Sequence, residues 1–260
     1  MNLRLTLAVS GIPTAIAALI ALAVAVPCQA QGTAMRAEKA DDAVLLARDA
    51  FRTGNSLQLA RLMPQVRGHV LEPYVEYWQL RQRLDERAAD EIQGFLARRD
   101  GSYIAERLRA DWLRVLGRKG DWENFRTERP RLVNEDPDIA CFGLLERFRS
   151  GDNAVLAELK PVWSAPRELP EACAALADHQ LRTGAYGVAQ VWDRFRTLAD
   201  AGQTAAAKRQ LAALPLREQP AASLIDRIVA APAKYLLQLQ DAATTRTSKE
   251  MVIFAMMRLA

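Results

Sequence analysis

The chain has 260 residues, of which 50% are hydrophobic and 25% are charged, and its formal net charge is +4. This length suits one large or two modest globular domains with real cores. The 13 glycines and 12 prolines fall below an average share of about 12%, which argues against collagen-like, low-complexity and all-β proteins. The two histidines, His69 and His179, lie 110 positions apart, which leaves little material for a histidine-based metal centre or catalytic triad.

The first 30 residues have the layout of a secretory signal peptide. Arg4 is followed by a largely apolar stretch of 22 residues at 5–26. Small residues at Cys28 and Ala30 suit the −3 and −1 positions of signal peptidase, so we predict cleavage after Ala30 and export to the periplasm. The alternative is an uncleaved anchor, because about 20 apolar residues can span a bilayer. Pro27 disfavours a lipoprotein, and no later apolar run is as long, so no stable membrane insertion is expected after processing.

From Glu38 onward, apolar residues recur three and four positions apart, which is typical of amphipathic helices. No segment alternates with period two for long enough to predict a strand. We therefore predict an all-α fold of about thirteen or fourteen helices, with boundaries good to about two to four residues. The expected spans are 39–53, 56–63, 72–84, 88–98, 103–117, 122–128, 138–150, 153–163, 170–183, 186–201, 203–213, 221–230, 232–240 and 248–259.

Short turns of the form Arg-x-Gly recur at 52–55, 118–121, 149–152 and 182–185. Their glycines lie 66, 31 and 33 residues apart, a period near 33 with one degenerate turn around 83–86. A helical hairpin of this length cannot bury its apolar face alone and must stack on its neighbours. The spacing thus predicts an α-superhelix, a solenoid of stacked hairpins. The alternative is a set of unrelated helices with chance turns of this short form.

The sequence lacks the catalytic, cofactor-binding and metal-binding motifs that we searched for. Most acidic residues neighbour arginine, as Glu106 neighbours Arg107, and are expected to form ion pairs on solvated helix faces. There is no G-x-S-x-G elbow, glycine-rich phosphate loop, H-E-x-x-H or C-x-x-C motif. We therefore predict no catalytic, cofactor-binding or metal-binding residues. Basic and acidic residues are interspersed, so nucleic acid is not an expected partner. Aromatic residues such as Trp122 and Trp163 are expected to pack between hairpins rather than to stack on sugars.

Two cysteines, Cys141 and Cys173, remain once the signal peptide is removed, and they lie 32 positions apart. In an oxidising compartment such a pair favours a disulfide. The alternative is two buried thiols that behave as small hydrophobic side chains.

Three parts of the chain carry a family resemblance when they are taken together and in order. They are the run LEPYVEYWQL at 71–80, the stretches at 95–99, 105–113 and 117–125, and Cys141 with LPEAC at 169–173. This ordered set resembles the N-terminal helical U-domain of soluble lytic murein transglycosylases, over roughly residues 40–260. In that family the corresponding cysteine pair is a disulfide.

The resemblance implies a periplasmic protein of peptidoglycan turnover, with residues 31–260 forming a superhelical U-domain-like region. In the whole family, a separate module cleaves the MurNAc–GlcNAc bond, using a glutamate in a Glu-Ser motif followed by G-L-M-Q. This chain has neither motif, and GLLE at 143–146 resembles G-L-M-Q only superficially. Expected partners are therefore peptidoglycan glycan strands, through the family's catalytic module, and cell-wall proteins.

The last ten residues, 251–260, still form an apolar helical run. The U-domain-like region is therefore predicted to be incomplete at its C-terminus. Its final helix is expected to lack neighbours and to fray near 241–248.

A second functional hypothesis remains open. A secreted, tetratricopeptide-like adaptor would also have helical repeats and would bind a protein partner on its concave face.

Overall fold

The computed structural model describes residues 26–239 and 244–260, with side chains from Glu38 onward. Within this part of the chain there are fourteen α-helices and no strand, which confirms the predicted all-α fold. Residues 1–25 of the predicted signal peptide lie outside it, and cleavage after Ala30 stays a prediction. The helices are α1 (Val26–Arg52), α2 (Ser56–Leu62), α3 (Glu72–Gln82), α4 (Ala89–Arg98), α5 (Tyr103–Lys119), α6 (Trp122–Glu128), α7 (Pro137–Arg149), α8 (Val155–Trp163), α9 (Glu171–Arg182), α10 (Val188–Asp200), α11 (Thr204–Gln210), α12 (Ala222–Ala230), α13 (Pro232–Leu237) and α14 (Arg246–Met257).

The recurring Arg-x-Gly turns separate helices as the repeat predicted. Each of their glycines has a positive φ between 72° and 96°, a conformation that side chains with a Cβ rarely adopt. Asn55 and Asp121 follow two of these glycines and cap the next helix, because their side chains accept the N–H groups of Gln58 and Asn124 at 3.0 and 3.3 Å. The four glycines are Gly54 after α1, Gly120 after α5, Gly151 after α7 and Gly184 after α9.

Several helix ends differ from the predicted spans, among them the starts of α1 and α8. α1 begins at Val26 instead of residue 39. α8 begins at Val155 instead of 153, because the Asp152 carboxylate accepts the N–H of Ala154 at 3.0 Å and holds a turn before the helix. Pro161 lies inside α8 near its end. Its missing N–H removes one hydrogen bond from the last turn of a short helix.

The described chain divides into two compact units, one ending at Asp111 and the other beginning at Trp112, so the boundary falls within α5. In the first unit, α1 packs on α2 and α3 around a small core. Arg81 extends this core, since its guanidinium lies 5.8 Å from the ring of Phe51 and pairs with Asp111 at 2.6 Å. The buried core residues are Ala43, Val44, Ala47, Ala50, Leu59, Leu62, Val66 and Val75.

In the second unit, α7 packs on α8 and α9, and α10 packs on α11 and α14. Trp192 and Phe195 of α10 are fully buried and meet edge to face, with ring centroids 5.5 Å apart. Among the described residues, no helix is both long enough and apolar enough to cross a membrane.

The last helix, α14, has neighbours, contrary to the expectation from its sequence. Its apolar residues Met251 and Phe254 are fully buried against α10, α12 and α13, which precede it in the chain. Glu250 is also buried, and its carboxylate pairs with Arg196 of α10 at 2.5 Å. The helix is thus anchored on one face, while Ile253 and Met256 remain exposed on the other.

Candidate functional site

A disulfide links α7 to α9 in the second unit. Cys141 and Cys173 are joined with their Cα atoms 5.1 Å apart, and both side chains are buried. Each cysteine lies near the start of its helix, and α8 lies between the two helices in sequence. The residues next to the two cysteines, Phe142 and Ala172, both line a surface groove. The disulfide therefore fixes the spacing between two walls of that groove.

This groove, which we call the Trp122 groove, has a volume of about 250 Å³ and lies among α5, α6, α7 and α9. Trp122, Phe142 and Leu145 form its apolar wall. Gly117 allows α5 to approach α7, because a Cβ at this position would lie 2.4 Å from the ring of Phe142. The groove is smaller than most cofactor pockets, which occupy about 300–1,000 Å³, so it suits one part of a larger ligand.

The rim of the Trp122 groove is basic. Arg118, Lys119 and Arg149 line it, against one acidic residue, Glu171. The guanidinium of Arg149 lies over the indole of Trp122, 5.9 Å from Cζ to the ring centroid, within the range of a cation–π interaction. Arg118 and Arg149 form no ion pair with any residue in the described part of the chain. Seven other arginines of the second unit do, namely Arg114, Arg126, Arg129, Arg131, Arg147, Arg196 and Arg209.

A buried arginine holds the segment that joins α8 to α9. Arg194 of α10 is only 2% exposed, and its guanidinium lies 5.0 Å from the centroid of the Trp163 ring. One of its nitrogens donates to the main-chain carbonyl of Trp163, and another donates to the carbonyl of Arg167 at 2.9 Å. Burial lowers the pKa of Arg194, and the nearby charge of Glu168 acts in the opposite direction. Arginine nevertheless remains charged in proteins, so Arg194 presents a fixed set of donors to this segment.

A second concave feature, the Arg194 cleft, has a volume of about 410 Å³ and lies among α9, α10 and α11. Small apolar side chains, including Ala177 and Ala206, form much of its lining. At its rim, Arg209 pairs with Glu168 at 2.7 Å, and both side chains are more than half exposed. The two arginines that line this cleft are therefore already engaged, one by a carboxylate and the other by main-chain carbonyls.

The acidic residue of the GLLE segment, Glu146, makes contacts within the fold. Glu146 is buried, accepts a hydrogen bond from the hydroxyl of Ser150 at 3.2 Å and pairs with Arg126 at 3.5 Å. Within residues 26–239 and 244–260, no group of three or more His, Cys, Asp and Glu residues is placed to hold a metal ion.

The two histidines make local structural contacts. Nδ1 of His69 accepts the N–H of Leu71 at 3.0 Å, so its Nε2 carries the proton and donates to Asp41 at 2.8 Å. His179 meets Phe148 edge to face, with ring centroids 4.9 Å apart.

Two residues have roles that the sequence analysis did not assign. Trp122 was expected to pack between hairpins, yet it is partly exposed and lines a groove. The sequence pattern indicates that Arg194 is buried, although it does not identify its partners. It shares the buried face of α10 with Val191 and Leu198, where an arginine needs partners. Its partners lie 27 to 31 residues earlier in the chain, which a local pattern does not reveal.

Comparison with solved structures places the fold beside soluble lytic transglycosylases. The 70-kDa soluble lytic transglycosylase of Escherichia coli matches 84% of this chain, with a TM-score of 0.60 and 20% sequence identity. The lytic transglycosylase Slt of Pseudomonas aeruginosa, as an inactive mutant, matches 84% with a TM-score of 0.58 and 24% identity. A complex of the 70-kDa enzyme with bulgecin A matches with a TM-score of 0.60 and 20% identity.

This chain spans 35% of the length of each of those proteins. No protein-family model matches it, and no curated protein matches it by sequence. The similarity to solved structures confirms the predicted resemblance at the level of the fold.

Proposed function

We propose that this chain is a non-catalytic, U-domain-like superhelical region of a protein of peptidoglycan turnover. The observation that carries the proposal is the fold similarity to soluble lytic transglycosylases over 84% of the chain. The predicted signal peptide supports a periplasmic location, where peptidoglycan glycan strands would be the partner. Residues 31–260 would then form the exported part.

The sequence supports a non-catalytic role for the chain by itself. Lytic cleavage of the MurNAc–GlcNAc bond requires a proton-donating carboxyl beside the glycosidic oxygen. The sequence contains neither the Glu-Ser motif nor the G-L-M-Q stretch in which the family carries that carboxyl. The buried acids Glu128, Glu146 and Glu250 each pair with an arginine.

Co-sedimentation with purified peptidoglycan sacculi tests this proposal. The protein is expected to pellet with intact sacculi and to be released by added soluble muropeptides. If it stays in the supernatant and instead retains one defined periplasmic protein in a pull-down, the adaptor hypothesis replaces the proposal. Fractionation of expressing cells tests export separately. The protein is expected in the periplasm with Gln31 as its first residue, whereas a full-length, membrane-bound chain would identify an uncleaved anchor.

A further inference from the structure

The Arg194 cleft and the Trp122 groove differ in whether the arginines that line them already have partners. The two arginines that line the Arg194 cleft are engaged by Glu168 and by main-chain carbonyls. At the Trp122 groove, Arg118 and Arg149 are both exposed and have no acidic partner among the residues that the structure describes. Of these two features, the Trp122 groove is therefore the one that combines an apolar wall with arginines that have no acidic partner in the described part of the chain.

The contact between Arg149 and Trp122 orients the guanidinium so that it can bind a carboxylate. A guanidinium over an aromatic face is restrained by the ring, and its planar edge still offers N–H donors in a fixed fork. Such a fork matches the two oxygens of a carboxylate, and charge-assisted hydrogen bonds of this type are the strong ones. Arg118 adds positive charge to the same rim, and Glu171 is the acidic residue that lines it.

We propose that the Trp122 groove binds a carboxylate-bearing muropeptide, with the carboxylate at Arg118 and Arg149 and the sugar ring against the apolar wall. This inference rests on the proposed function, because peptidoglycan joins acylated sugar rings to peptides that carry free carboxylates. The C–H faces of a sugar ring suit the wall formed by Trp122, Phe142 and Leu145. The volume of about 250 Å³ holds one such ring with its substituent, not a longer strand.

Isothermal titration calorimetry with a purified disaccharide tetrapeptide as the probe tests the inference. The double variant R118Q/R149Q is expected to bind this muropeptide about tenfold or more weakly than the wild type. The matched control is R182Q/R217Q, which removes the same charge from two exposed arginines that line neither groove and form no ion pair in the described part of the chain. The control is expected to keep the wild-type affinity within about twofold.

Two further arms identify the group that is bound. Glu171→Gln removes the opposing charge and is expected to tighten binding severalfold. The disaccharide without its peptide and the free tetrapeptide are each expected to bind more weakly than the intact muropeptide. Equal affinity for the disaccharide alone would overturn the proposed role of the carboxylate.

Other outcomes separate this inference from the proposed function. If the wild type pellets with sacculi and R118Q/R149Q binds the muropeptide as tightly as the wild type, the inference is wrong and the proposed function stands. If both double variants lose affinity equally, or inorganic phosphate displaces the muropeptide at equal concentration, the groove is a non-specific anion surface and the inference fails. If the wild type binds neither sacculi nor muropeptide, the proposed function fails and the inference fails with it.

Discussion

Arg194 holds both the side chain and the main chain of Trp163. Its guanidinium lies 5.0 Å from the centroid of the indole and also donates to the carbonyl of the same residue. Because Trp163 ends α8, one side chain of α10 fixes the point where the chain leaves α8 toward α9 and the disulfide. The position of α9, and of the groove walls it supplies, thus depends on a contact with a helix that follows it in the chain.

Replacing Arg194 by methionine is therefore expected to destabilise the protein by about 2–4 kcal/mol, because buried main-chain carbonyls lose their donors. Urea unfolding at neutral pH measures this change. The matched control is Arg209→Met, which removes the exposed pair with Glu168 and is expected to cost less than about 1 kcal/mol. Equal costs for the two substitutions would show that Arg194 does not anchor the segment.

The disulfide is expected to contribute about 3–4 kcal/mol. It closes a loop between residues 32 positions apart, and the chain-entropy model gives this magnitude for such a loop. Unfolding with and without dithiothreitol measures it, and the double variant C141S/C173S controls for effects of the reductant elsewhere. Reduction is also expected to weaken muropeptide binding, since Phe142 and Ala172 would no longer be held by the bond between their neighbours. Unchanged stability and affinity after complete reduction would contradict this account.

Replacing two helical glycines by alanine is expected to change the stability of the protein in opposite directions. A Cβ at Gly117 would lie 2.4 Å from the Phe142 ring, so Gly117→Ala is expected to destabilise the protein by about 1–3 kcal/mol through overpacking. A Cβ at Gly94 would meet only the flexible end of Arg98, at 3.2 Å, so Gly94→Ala is expected to stabilise α4 by up to about 1 kcal/mol. Thermal unfolding of both variants checks the signs, and a stabilising Gly117→Ala would show that α5 and α7 are not in close contact.

The buried hydroxyl of Tyr186 is expected to make the protein less stable at alkaline pH. Its hydroxyl is buried without a hydrogen-bond partner among the described residues, and burial raises its pKa above the ordinary value of 10.0. The unfolded chain then loses this proton at a lower pH than the folded chain, so the free energy of unfolding falls as pH rises above about 10. Tyr186→Phe is expected to stabilise the protein by about 1 kcal/mol at neutral pH, because an unsatisfied hydroxyl is removed.

Urea unfolding of the wild type and Tyr186→Phe between pH 8 and pH 11 checks this prediction. The stability of the variant should fall less steeply above about pH 10 than that of the wild type. Parallel profiles for the two proteins would show that this hydroxyl is solvated.

The sequence was sufficient for the features that depend on neighbouring residues. Gly120 and Asp121 end one helix and cap the next through contacts within a few positions, so the turn and the helices around it could be predicted. Contacts between distant residues could not be predicted in the same way. Arg196 and Glu250 lie 54 positions apart, and nothing near either residue indicates that α14 returns to α10. The final helix was therefore wrongly expected to lack neighbours.

In the candidate site, too, the sequence predicted what depends on composition and local pattern but not what depends on packing between helices. The sequence identified Cys141 and Cys173 as a pair, since few cysteines and an expected oxidising compartment limit the choices. It did not identify the Trp122 groove, because Trp122 follows a helix turn just as a core aromatic would. Whether such a ring is covered depends on how closely α5 and α7 approach at Gly117, a property of packing and not of local pattern.

We propose that this chain associates with peptidoglycan without cleaving it. The most direct test incubates the purified protein with sacculi and analyses both the pellet and the released sugars by mass spectrometry. We expect the protein in the pellet and no anhydro-muropeptides in the supernatant. Release of anhydro-muropeptides by the folded chain alone, or a protein that does not pellet with intact sacculi, would contradict it.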